Sequence, residues 1–176
     1  MSAMRNLAIA CLAPALAATA ALAQAPAANP LDAVPDKMPF DIPYGAPITL
    51  DRAEAAINAA VADAKSKNWK LNVAVVDSGG NLVAFARMDG AQLASISISE
   101  HKARTAVKFR RETKAFENGI QNGNLHYLLT LDDVIGSRGG IPLVEGGKMI
   151  GAIGCSGGTG SQDEVSCKAG AATINK

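Results

Sequence analysis

The sequence predicts an α/β fold of the α+β layered kind, an antiparallel sheet of about five strands flanked by helices, and three observations lead there. Two pairs of short β-rich runs are each joined by a glycine-containing connection of hairpin type. The segments before, between and after them carry apolar residues at helical spacing. The order helix, hairpin, helices, hairpin, helix then suits helices packed on an antiparallel sheet.

Taken in order, the first element is an address label. Arg5 precedes an apolar stretch from Leu7 to Ala18, and Ala21-Leu22-Ala23 is the small-x-small pattern of a cleavage site, so residues 1–23 read as a signal peptide. The run is Ala-rich, broken by Pro14 and short for a membrane span, so no transmembrane segment is expected after cleavage. Cys11 leaves with the signal, and the destination is periplasmic or secreted. Residues 24–47 carry Pro26, Pro30, Pro35, Pro39, Pro43 and Pro47, which remove backbone donors and fix φ repeatedly. That spacing predicts an extended arm, either a tether or a segment that hugs the surface, its own or a neighbouring subunit's, ahead of a domain over 48–176.

Within the domain, Thr49 caps a helix in which Leu50, Ala53, Ile57, Ala60, Val61 and Ala64 recur on one side. Leu71–Asp77 and Leu82–Arg87 flank Ser78-Gly79-Gly80-Asn81 as a first hairpin. From Ala94 the apolar positions, continued by Ala103, Ala106 and Val107, meet no breaker until Gly119, which predicts one long helix. Ile141–Val144 and Met149–Ile153 flank Glu145-Gly146-Gly147-Lys148 as a second hairpin. A glycine-rich loop over 154–160 follows, and Ser161 with Asp163 and Glu164 opens a last helix through Ala171.

Composition narrows the function. With 17 Lys+Arg against 16 Asp+Glu, the formal net charge is +1, and loss of Arg5 with the signal removes that excess. Neither a nucleic-acid binder nor an acidic disordered chain fits such a balance. Aromatic residues are only 4%, too few for a base-stacking platform. Two cysteines, Cys155 and Cys167, remain in the mature chain, and they either pair in an oxidising compartment or stay as buried thiols. A closed loop of that length would contribute about 3 kcal/mol.

Most chemical motifs fail on inspection. Gly154-Cys155-Ser156-Gly157-Gly158 has nucleophile-elbow spacing, but both histidines, His101 and His126, precede the serine, whereas that fold needs one after it. Rossmann and P-loop patterns are absent, as are CxxC, HExxH and CxxCH. One basic segment stands out, from Lys102 to Lys114. Arg104, Lys108 and Arg111 share a helical face that suits carboxylates, unless Glu100, Glu112 and Glu117 neutralise it. His101 beside them is a candidate axial ligand to a haem iron. Asp77, Arg87 and Asp89 at the hairpin ends are further pocket candidates.

Several blocks also occur together in order: Asn72–Leu82, Lys102-Ala103-Arg104-Thr105-Ala106, Gly139-Gly140-Ile141-Pro142-Leu143, Ile150–Gly158 and Asp163-Glu164. Over about 48–172 the chain resembles the haem-binding and haem-degrading family typified by GlcG and HbpS proteins. The resemblance implies a profilin/PAS-like antiparallel sheet flanked by helices and assembly into homo-oligomers. It implies haem as cofactor for some members, while others accompany glycolate or diol metabolism without a settled activity. No catalytic residues carry over. Lys102, Arg104 and Thr105 match the family's characteristic helix, and Asp77 and Gly80 its first hairpin; Cys155 and Cys167 depart from the small apolar residues expected there. The expected haem-binding set is therefore His101, Lys102, Arg104, Thr105 and Lys108, with His101 or Thr105 at the iron. The competing expectation is a small carboxylate such as a 2-hydroxy acid, clamped by Arg104 and Lys108.

Overall fold

The computed structural model describes residues 29–175, so the expected signal peptide lies outside the described residues. A short 3-10 turn at Pro30–Asp32 belongs to a unit ending at Asp36, and the compact domain begins at Lys37. Its helices are α1 (Leu50–Ser66), α2 (Ser95–Lys108), α3 (Lys114–Gln121) and α4 (Gly160–Ala171), and its strands β1 (Asn72–Asp77), β2 (Leu82–Arg87), β3 (Gly140–Glu145) and β4 (Lys148–Ser156). The sheet is antiparallel throughout, in the order β2-β1-β4-β3.

Both glycine connections close hairpins. Gly146 and Gly147 have φ of 54° and 74°, the paired positive values that a two-residue turn of this twist requires. In the first hairpin, the Asp77 carboxylate accepts from the Gly79 and Asn81 backbone N–H groups and holds the turn.

Alternation along β1 and β4 sends side chains to two cores. Val73, Val75, Ile153 and Cys155 face α1 and α4, while Val76, Ala152 and Met149 face Ala103, Ala106 and Val107 of α2. Small residues set the layer spacing. Gly140 and Gly154 are cross-strand partners beneath α2. A Cβ on Gly154 would stand 2.1 Å from the Ser99 carbonyl oxygen, and one on Gly140 2.3 Å from that of Lys102. On the other face Gly170 lies against the Ala56 carbonyl, so α1 and α4 also meet through backbone. Cys155 and Cys167 form a disulfide, with 5.6 Å between their Cα atoms, that ties β4 to α4.

Three expectations are corrected. The sheet has four strands among the described residues rather than about five. Beyond the end of β1, the arm takes its place beside β4: Gly45 and Ile48 donate to the Met149 and Ile150 carbonyls, Met149 donates to Pro43, and Tyr44 forms a single parallel bridge. Residues 43–48, at the end of the arm, thus hug the surface of their own domain along β4. The glycine loop is shorter than expected, because Gly154, Cys155 and Ser156 continue β4.

The expected long helix is two helices. After Lys108 the chain forms a Schellman closure, with Arg111 N–H donating to Ala106 and Arg110 N–H to Val107, and Arg110 takes the left-handed position at φ 56°. Glycine usually marks that position; here an arginine fills it, so no breaker shows in the sequence. The Tyr44 hydroxyl donates to the Val107 and Lys108 carbonyls, satisfying groups the helix end leaves open. Thr49 occupies the N-cap of α1 without a side-chain cap bond, whereas Thr159 and Gln162 form a full capping box on α4.

Gly154→Ala forces a methyl into the α2 backbone and is expected to cost about 1–3 kcal/mol, measured by urea denaturation; an unchanged midpoint would show that α2 does not need this close approach.

Candidate functional site

The expected site residues sit on α2, and the helix divides them. Its sheet-facing side carries Ser95, Ser99, Lys102, Ala103 and Ala106, all buried. Its outward side carries His101, Arg104 and Lys108 at spacings of three and four residues, which places them on one face.

Lys102 therefore parts from the group. Its side chain is 1% exposed, and its ammonium donates to Asp163 Oδ2 at 2.8 Å and to the Cys155 carbonyl at 3.1 Å. The second Asp163 oxygen accepts from Gly158 N–H at 3.0 Å. Gly139, at φ 114°, crosses so closely that a Cβ there would meet Asp163, the Cys155 carbonyl and the Lys102 ammonium. A buried charge pair with its remaining valences hydrogen-bonded joins α2, β4 and α4.

A mixed charge network covers this pair. Glu117 accepts from the Arg138 side chain and backbone, and Glu164 is held by Lys114, Lys168 and Arg138. Burial pushes both glutamates up, but the hydrogen bonds from Arg138 to Glu117, and from Lys168 and Lys114 to Glu164, outweigh it and leave both below the usual carboxylate range. Their contribution to stability is therefore full above the ordinary glutamate range and is lost as pH falls through the lowered folded values.

On the outward face, Thr105 and Lys108 clamp the segment 131–137. The buried Thr105 hydroxyl donates to the Asp133 carbonyl at 2.5 Å and accepts from Ile135 N–H, and the Lys108 ammonium meets the Asp133 carboxylate at 2.6 Å. That hydrogen bond from Lys108, helped by the charges of Lys108, His101 and Arg104, lowers the Asp133 pKa. Arg104 pairs with Glu100 one turn back at 3.1 Å. The His101 ring, half-buried, enters no hydrogen bond among the described residues. Tyr127, Leu129 and Leu131, on the approach to the clamped segment, are exposed.

Arg111 leaves the expected stripe because α2 stops at Lys108. Its guanidinium lies 3.7 Å from the Phe40 ring centre and 4.5 Å from that of Phe116, and burial lowers its pKa. Of the three glutamates weighed against the stripe, only Glu100 pairs with it; Glu112 meets Lys168 and Glu117 meets Arg138. Sequence reading missed Asp163 as the partner of Lys102 and Asp133 as the partner of Lys108. A signal for the first exists: Lys102 lies in register with Ser99, Ala103 and Ala106, the small-residue side that must face the sheet.

The chemistry of the outward donors fits a haem: an imidazole with no hydrogen bond among the described residues for iron, and cations for propionates. Two cavities, of about 370 and 500 Å³, lie along β2 and α1, and neither includes a residue of α2. Among the described residues no helix is long and apolar enough to cross a membrane, and no group of three His, Cys, Asp or Glu is placed to hold a metal ion.

Comparison with known proteins shows the family and the fold. The family model described as "Haem degrading protein HbpS-like" matches residues 48–172. The Escherichia coli protein GlcG is 43% identical over 109 residues, which is 62% of this chain and 81% of that protein. A crystal structure of a double mutant of Streptomyces reticuli HbpS superposes with a TM-score of 0.70 at 29% identity, covering 82% of this chain and 98% of the other. A crystal structure of a PduOC:heme complex superposes at 0.66 with 28% identity, covering 73% and 96%.

Lys102→Met strands the Asp163 carboxylate in the interior and is expected to cost about 3–5 kcal/mol, with much of it recovered when Asp163→Leu is added. Denaturation of the single and the double variant measures this, and a single variant as stable as wild type would remove the pair from its structural role.

Proposed function

This chain belongs to the HbpS-like family, and we propose that it is an exported haem-binding protein that holds haem against the outward face of α2. The observation that carries the reading is the grouping there of an imidazole with no hydrogen bond among the described residues and two cations, Arg104 one turn away and Lys108 two turns away. A bound haem supplies an iron centre able to exchange electrons and take a further ligand.

The residues divide the work. His101 presents a ring nitrogen to the iron. Arg104 and Lys108 hold propionates by turning from Glu100 and Asp133, the carboxylates that keep them extended in the free protein. Thr105 is a positioning residue, since both roles of its hydroxyl are spent on the 131–137 segment. Lys102 fixes α2 on the sheet from below. The second wall around the ring comes from another copy in a homo-oligomer, because a cofactor site buries most of its ligand and this face alone is open. The Cys155–Cys167 disulfide supports an oxidising destination, periplasmic or secreted. In that setting the protein takes part in haem handling.

Titration of the mature protein with haem against excess albumin is expected to give a saturable Soret band, displaced by His101→Ala. Arg104→Ala and Lys108→Ala should each weaken binding by about tenfold. A non-saturating signal, or one indifferent to all three variants, would contradict the haem reading. Glycolate binding lost in Arg104→Ala, without a haem signal, would make the same cations a small-carboxylate clamp.

A further inference from the structure

We propose that the cavity between the end of α1 and the end of β2 binds a small organic dianion with a planar unsaturated body. It lies on the α1 side of the sheet, away from His101, and does not depend on the haem reading.

The cavity follows from how α1 ends. Asn68 takes the left-handed position at φ 57°, and Trp69 N–H donates back to the Ala64 carbonyl, so the chain turns sharply and sets the indole beside the last helical turn. Met88 is fixed opposite: its N–H donates to the Leu71 carbonyl, and its sulfur accepts from Leu71 N–H at 3.4 Å. Trp69 and Met88 both pack against the main core, so the apolar floor is built before any ligand arrives. The volume, about 370 Å³, is that of a small-molecule site.

The rim gives the chemistry. Lys65, Lys70 and Arg87 line it, opposed only by Asp89 among the lining residues. None of the three cations enters an ion pair among the described residues, whereas Arg104, Lys108, Lys114, Arg138 and Lys168 are each held by a carboxylate of the chain. Lys67, at the same corner, is already bonded to Asp63 and sits 5.4 Å over the indole. Lys70 is guided to the rim by Gly90: at φ 75° that residue has no Cβ, and one placed there would stand 3.2 Å from the Lys70 ammonium. Three uncommitted cations around an indole and a thioether suit a ligand with negative charge at its edge and a flat apolar middle.

Trp69 is the one tryptophan in the chain, so its fluorescence reports on this cavity directly. The full mature protein is titrated with phthalate, benzoate and inorganic phosphate. Phthalate should change the emission saturably, more tightly than benzoate or phosphate, and added salt should weaken it. Arg87→Ala and Lys70→Ala, both exposed, should each raise the phthalate dissociation constant about tenfold, while Lys148→Ala outside the cavity leaves it unchanged. Absence of a saturable response, or an equal response in Arg87→Ala and Lys70→Ala, would overturn the site. Benzoate binding as tightly as phthalate would overturn the dianion, and phosphate binding as tightly would overturn the planar body.

Discussion

The buried Lys102–Asp163 pair lies where α2, β4 and α4 meet, and the placement of the other parts follows from it. An ammonium with almost no access to water requires partners on every side, and it finds them on two separate elements of the chain, the Asp163 carboxylate and the Cys155 carbonyl. Those partners adjoin the Cys155–Cys167 disulfide, so a covalent link and an ionic one secure α4 to the sheet at one place. The glycines of β3 and β4 let α2 come close enough for the lysine to reach through. With its inner face held this way, α2 has no freedom to rotate, and the register that buries Lys102 also sends His101, Arg104 and Lys108 outward.

The two sides of α2 thus do different work with residues that look alike in sequence. Lys102 and Lys108 are six positions apart and both pair with an aspartate, yet one is buried structure and the other is a half-exposed, exchangeable contact. Exposed ion pairs contribute little to stability. The Lys108–Asp133 and Arg104–Glu100 contacts can therefore open for an incoming carboxylate at small cost, while the pair beneath cannot. Thr105, between them, holds the 131–137 segment at the rim of this face.

Much of the fold was legible because it rests on local chemistry. The glycine pairs marked both hairpins and the small apolar stripe marked α1, while the last helix was read to open at Ser161, just past the Thr159 that caps it. The failures also have local causes. Arg110 adopts a conformation that sequence rules reserve for glycine, which hid the end of α2 and carried Arg111 away from the expected stripe. Gly154 was read as the start of a glycine-rich loop, but it belongs to β4, where it lets the α2 backbone touch the sheet. The pairing of Cys155 with Cys167 was one of two open readings, decided by the closeness of β4 and α4. The site was legible in part: the helix and its outward cations were found, whereas Asp133 and Asp163 lie far along the chain and only the fold brings them to Lys108 and Lys102.

The central claim is that the outward face of α2, with the segment it clamps, receives the haem. Amide hydrogen exchange of the mature protein, with and without one equivalent of haem, tests it most directly. The account predicts slowed exchange in residues 126–137, a 3-10 turn at His126–Thr130 followed by irregular backbone, with the α1 and β2 amides unchanged. Unchanged exchange across 126–137, with protection appearing along β2 instead, would contradict it.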